Sequence, residues 1–194
     1  MRIKKKSLAG RILIALCALV VLAAAVKIVL VNVKYPEPRE VPIQKDETVT
    51  FMGVDITYTD SHVDTLVNTC QWLGIDVPLA FYSCYMGEDD IEDIAVFCME
   101  VTFQNNTSET QSIYPYYFNL MQGDFAATLD DTLYTEVNTA EHFKITLEPG
   151  EKTERLLTFT LFAYRFSEER WANILDLDYT VLFGLYPEKI YFVA

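Results

Sequence analysis

The chain has 194 residues, with 28 acids against 15 basic residues, two histidines and seven glycines. A net charge of −13 argues against nucleic acid and anionic surfaces as partners. Seven glycines leave little material for the backbone cradles that hold phosphates.

The charge is split along the chain. Residues 1–33 hold six basic residues and no acid, while the remainder holds nine basic residues against all 28 acids, a net −19. Such asymmetry marks two environments. Residues 1–11 form a basic segment, and residues 12–33 form a 22-residue apolar run with one charge, Lys27. A helix of that length, at about 1.5 Å per residue, covers the roughly 30 Å hydrocarbon core of a bilayer. Lys27 lies six residues from the far end, close enough to snorkel to the interface. The positive-inside rule then places the N-terminus in the cytoplasm and residues 34–194 outside the cell membrane, a single-pass arrangement. A cleaved signal peptide would use residues 12–22 as its apolar region and Ala23, Ala24 and Ala25 as its cleavage site. The apolar character that resumes after Lys27 favours an uncleaved signal-anchor. Cys17 follows Leu16, where a lipidation signal wants a small residue, so it reads as a small apolar side chain in lipid.

Residues 34–47 carry Pro36, Pro38 and Pro42 among alternating charges. Proline removes a backbone donor, so this segment reads as a semi-rigid stalk. Residues 48–194 then have the size of one domain with a single core. Most of that domain alternates with period two. Residues 48–51 and 54–59 flank Met52-Gly53 as a hairpin or bulge. A helical stripe follows at Val63, Leu66, Val67, Cys70 and Leu73, with a capping box at Ser61–Asp64 and a stop at Gly74.

Residues 94–104, IAVFCMEVTFQ, place Ala95, Phe97, Met99, Val101 and Phe103 on one face, with Ile94, Val96 and Cys98 on the other. The strand stops at Asn105-Asn106-Thr107-Ser108, which reads as a turn, since asparagine caps turns with its side chain. Further strands are expected over 143–147, 153–162, 178–185 and 190–193. In the third of these Tyr179, Val181, Phe183 and Leu185 point inward. Ser167–Trp171 reads as a short helical turn. Short strands separated by turn signals argue a β-sandwich.

Candidate sites are few. His62 and His142 read as surface residues, and no nucleophile elbow, phosphate loop or His-Glu-x-x-His is present. No catalytic, cofactor or metal residue is assigned. The acidic run 87–93 lacks the spacing that wraps calcium and reads as a solvated loop. Tyr114, Tyr116 and Tyr117 form an aromatic cluster, a candidate binding surface for sugars or a protein. In a strand Tyr116 would share a face with Phe118 and enter the core, leaving Tyr114 and Tyr117 to watch for exposure. Cys84 and Cys98 are equidistant from Ile91, so a hairpin of residues 81–85 with 94–99 would set them opposite each other and allow a disulfide. Three small buried thiols, Cys70 included, fit equally well.

The series MEVTFQNNTSET, YYFNLMQGD, LYTEVN, LEPGEKTERLLTFTL and YTVLFGLYPEKIYF resembles membrane-anchored surface domains of Gram-positive bacteria. These are extracellular immunoglobulin-like (telokin-like) β-sandwiches of unknown function. The resemblance runs over roughly residues 94–193 and implies that fold, with no chemistry to carry over. The expectation is therefore an N-terminal transmembrane helix followed by an immunoglobulin-like antiparallel sandwich that binds an unknown protein or cell-wall partner. The alternative is an accessory or sensing subunit of a membrane complex, with a metal-dependent or hydrolytic enzyme third.

Overall fold

The computed structural model describes residues 8–78, 82, 88–139 and 143–194. The chain divides into two compact units, Met1–Arg39 and Glu40–Ala194. In the first, helix α1 (Leu8–Lys34) contains a stretch, Ile12–Lys34, long and apolar enough to cross a membrane. Its apolar side chains run all round the axis, with no polar face. These features fit a membrane anchor or a signal sequence.

The second unit is a β-sandwich with short helices. One sheet sets β1 (Arg39–Ile43), β11 (Glu188–Val193), β10 (Thr180–Gly184), β6 (Asn119–Gln122) and β7 (Phe125–Thr128) side by side. The other sets β2 (Thr48–Phe51), β3 (Val54–Thr65), β4 (Ile94–Gln104) and β9 (Lys152–Phe162). A separate pair joins β5 (Gln111–Ile113) to β8 (Ile145–Leu147). The helices are α2 (Leu66–Leu73), α3 (Asp131–Asn138) and α4 (Glu168–Trp171).

Strand β4 is central to its sheet because both of its faces are apolar. Its odd-numbered residues Phe97, Met99, Val101 and Phe103 enter the main core with Leu157, Phe159 and Leu161 of β9 and, from the facing sheet, Leu120, Val181 and Phe192. Burying each such side chain stabilises the fold by about 1.5–3 kcal/mol. Its even-numbered Ile94, Val96 and Cys98 pack under a second cluster with Leu66 and Cys70 of α2, Tyr82 and Leu133 of α3.

Several expectations are corrected. The capping box at Ser61–Asp64 does not start a helix. Those residues extend β3, pairing Ser61 with Met99 and Asp64 with Val96, and Thr65 is the true cap, its hydroxyl accepting from Asn68 N at 3.3 Å. A bulge between Tyr58 and Asp60 shifts the inward set from Val54, Ile56 and Tyr58 to Val63, which breaks the period-two signal where the helical stripe began. The expected stalk contributes β1, which carries Pro42 at the edge of its sheet, where a missing donor costs least.

The hairpin of residues 81–85 with β4 is also overturned. Strand β4 is already paired along its length with β3 on one side and β9 on the other. Cys98 stands between His62 and Thr158 in that ladder and is a buried free thiol. Cys84, with residues 79–81 and 83–87, lies outside the described residues, as does His142.

Candidate functional site

Residues 114–118 do not continue as a strand. Pro115 opens a 3-10 turn, Pro115–Tyr117, whose fixed φ suits the first helical position. The turn rotates Tyr114, Tyr116 and Tyr117 outward together, at 39%, 43% and 38% exposure, and leaves Phe118 fully buried. Tyr116 therefore does not share the buried fate of Phe118.

The tyrosines stand on an aromatic support that is partly buried at Phe51 and Phe143 and buried at Phe183. Tyr117 meets Phe51 edge-on at 6.3 Å, and Phe51 meets Phe183 at 5.5 Å. Tyr114 packs on Tyr117 at 5.7 Å, while Tyr116 lies 4.7 Å from Phe143. Burial, and then the carboxylate of Asp131, push the Tyr116 phenol above its ordinary range. Asn119 donates to the Tyr117 carbonyl at 3.1 Å and fixes the exit of the turn.

Beside Tyr116 and Tyr117 opens a cleft of about 780 Å³, walled by Met52, Met121, Leu182, Leu185, Tyr186 and Pro187, with Glu188 its one charged lining residue. Leu185 was expected to point inward. Strand β10 instead ends at Gly184 after a register shift between Leu182 and Gly184, so Leu185 falls in the following turn and is 69% exposed. A methyl group on Gly184 would sit 3.0 Å from the Ile190 side chain, so a larger residue at this bend requires Ile190 to give way. Met52, at φ 52° in the β2–β3 turn, and Tyr186 complete the rim. Large apolar residues in a turn, Leu185-Tyr186-Pro187 above all, are the sequence signal that would have found this wall.

A second cleft of about 630 Å³ shares Tyr116 and Ala126 with the first. It runs along residues 125–131 and is faced by Thr160, Phe162, Tyr164 and Arg165. At its base lies the buried carboxylate of Asp130. Oδ1 caps α3 by accepting from Leu133 N at 2.9 Å, and Oδ2 accepts from the Tyr82 hydroxyl at 2.8 Å and from the Thr160 hydroxyl. A carboxylate with both oxygens engaged in this way is a structural anchor. The turn Asn105–Ser108 is likewise structural. Buried Asn105 donates to the carbonyls of Glu109 and Leu147 at 2.8 and 2.9 Å, and its oxygen accepts from Thr107 N at 2.9 Å. His62 is half-exposed on β3, with its ring 5.3 Å from Trp72.

The family model for the domain of unknown function DUF5028 matches residues 80–190. The chain belongs to that family. A search of curated proteins found no match. Among solved structures, the yjhA protein of Bacillus subtilis is 14% identical, covering 76% of this chain and 84% of its own at a TM-score of 0.40. An uncharacterized beta-sandwich protein of Clostridium difficile is 7% identical, covering 81% of this chain and 95% of its own at a TM-score of 0.45. A functionally unknown protein of Listeria monocytogenes is 12% identical, covering 72% and 71% at a TM-score of 0.44.

Proposed function

We propose that this DUF5028 member is a binding module, held at the outer surface of a cell membrane by α1, with the apolar cleft beside Tyr116 and Tyr117 as its contact surface. The observation that carries this reading is the exposed, almost wholly apolar rim of Met52, Tyr117, Leu185 and Tyr186 around one cleft. Contiguous exposed apolar surface on a soluble fold is costly to keep and marks an interaction site. The aromatic residues supply large contact area at low entropy cost, as in the centres of protein interfaces.

The anchored topology, N-terminus in the cytoplasm and sandwich outside, is supported by the basic residues before Ile12 and the acidic surplus after Val33. An immunoglobulin-like (telokin-like) class for the sandwich rests on the resemblance of residues 94–193. The partner is a protein or a cell-wall polymer. Catalysis has no place in this reading, since the buried carboxylate beside the second cleft serves as an anchor.

One observation favours a second reading, an accessory subunit of a membrane complex. Lys27 is a cation inside the apolar stretch Ile12–Lys34, and such residues pair with acids on neighbouring helices. The test is crosslinking on intact cells, comparing the parent chain with Tyr117→Ala/Tyr186→Ala and with Lys27→Leu. A crosslinked neighbour lost in the tyrosine variant and kept in Lys27→Leu supports the binding module. The reverse pattern overturns it in favour of the accessory subunit.

A further inference from the structure

We infer that the open edge of β7 is a strand-addition site for a short extended peptide that runs antiparallel to it, basic on its N-terminal side and acidic on its C-terminal side. The sandwich has four sheet edges, at β1, β7, β2 and β9. The edge of β9 is partly closed, with the Asn138 side chain bonded to both backbone groups of Leu156 and the backbone N–H of Asp130 donating to the Thr158 carbonyl at 2.7 Å. The edge of β1 carries a proline. Neither β2, Thr-Val-Thr-Phe, nor β7, Phe-Ala-Ala-Thr, carries a charge or a proline, the devices that blunt an edge, and of the two it is β7 whose four residues all line the second cleft.

Strand β6 occupies one side of β7, from the Asn119–Thr128 pair to the Gln122–Phe125 pair. The other side has no ladder partner among the described residues. Successive side chains of a strand point to opposite faces, so a groove against one face meets every second residue. The second cleft meets Phe125, Ala126, Ala127 and Thr128 in succession. It therefore follows the edge of the strand, where the outward N–H and C=O groups have no ladder partner among the described residues and can accept a new strand.

The occupant follows from the ends of the cleft. Its volume of about 630 Å³ lies within the range of about 300–1,000 Å³ usual for ligand sites. At one end Phe125 packs on Phe166 at 4.4 Å, next to Arg165. At the other, Thr128 leads to Asp130 and exposed Asp131. An antiparallel strand lays its N-terminal side beside Thr128 and its C-terminal side beside Phe125. Its leading end then faces Asp131 and its trailing end faces Arg165. Tyr116, Phe162 and Tyr164 line the cleft and receive its side chains. A second folded copy would bring its own Tyr164 and Arg165 to the same flank, and both copies carry an acidic surplus. This site goes beyond the apolar cleft, which it meets at Tyr116 and Ala126.

The full chain in nanodiscs is titrated with labelled Lys-Val-Thr-Val-Thr-Glu, its charge-swapped twin Glu-Val-Thr-Val-Thr-Lys, and versions N-methylated at single positions. Amide exchange is followed in parallel. The expected result is saturable binding, weaker by about threefold or more for the twin. N-methylation should cost about tenfold at alternate positions only, because half the amides of an added strand face its neighbour. Exchange should slow within residues 125–128. The double variant Asp131→Lys/Arg165→Glu should invert the preference between twins. Absence of binding at about 1 mM overturns the proposal. So does an N-methyl effect at every position or at none, or slowed exchange confined to other strands. Protection of 125–128 in the free chain that fades on dilution would assign the edge to a second copy, and would overturn it equally.

Discussion

The side-chain amide of Asn138 stands in for a missing strand beside Leu156. Its Nδ2 donates to the Leu156 carbonyl at 2.9 Å, and its Oδ1 accepts from the Leu156 N–H at 2.9 Å. The same Nδ2 donates to the Tyr134 carbonyl at 2.8 Å, tying the last turn of α3 to β9. Asn138→Ala removes all three bonds and should destabilise the fold by about 2 kcal/mol. It also bares the β9 edge, so concentration-dependent association should appear in sedimentation. Chemical denaturation checks the first effect, and an unchanged midpoint would refute it.

Asp130 joins three elements through one carboxylate, capping α3 while accepting from Tyr82 and from Thr160 of β9. Asp130→Ala removes the acceptor shared by two buried hydroxyls and the cap together, for an expected loss of about 3 kcal/mol. Tyr82→Phe removes one donor and leaves the other contacts, for a loss of about 1 kcal/mol. Equal losses in the two variants would contradict the role assigned to the cap.

Stability should fall at alkaline pH. Burial pushes the Cys98 thiol up from 9.0 to about 12, and raises the phenols of Tyr82, Tyr134 and Tyr179 above their ordinary value of 10.0. Each is neutral when protonated, so the unfolded chain ionises first as pH rises. The stability these groups carry is full below their unfolded values and is lost above them, from pH 9 for the thiol and pH 10 for the phenols. For Cys98 the full loss is about 4 kcal/mol. Denaturation midpoints measured at rising pH check this, and Cys98→Val should flatten the first part of the fall. At the acid end Lys45 holds the Asp60 carboxyl below its ordinary 3.8. That stability is present above the unfolded value and is lost as pH falls, but the pair is exposed and contributes little.

Leu185→Ser tests whether the apolar rim is kept for binding. At 69% exposure the side chain adds little to folding, so the unfolding free energy should stay within about 0.5 kcal/mol of the parent's. Capture of the crosslinked partner should fall together with that of Tyr117→Ala. A large loss of stability would show that Leu185 serves the fold instead.

Replacing residues 12–33 by an unrelated apolar span of equal length should leave membrane association and the partner of the sandwich unchanged. Fractionation and crosslinking read both. Loss of the partner with membrane association retained would assign recognition to the helix.

The parts of this fold written in local pattern were legible. The odd and even faces of β4 follow from residues 94–104 alone, as do the Asn105 turn and the apolar character of α1. What failed depended on partners far away in sequence. The parity change in β3 comes from a bulge fixed by pairing with β4, and Leu185 left the core because β10 shifts register against β11. Tyr116 stays on the surface with Tyr114 and Tyr117 because Pro115 turns the backbone before the next strand begins. The open edge of β7 has no local signature, since being an edge is a property of the sheet order.

Strand β1 has a mechanical consequence. Any tension that reaches the sandwich through residues 35–38 enters by β1, a five-residue strand at the margin of its sheet. Pro42 in that strand has no N–H to give, so the ladder lacks a donor at that position. The eleven-residue ladder between β4 and β9 lies in the other sheet, off that path. Under load the domain should yield by peeling β1 from β11 and lengthening its own tether, with the core and both clefts still folded.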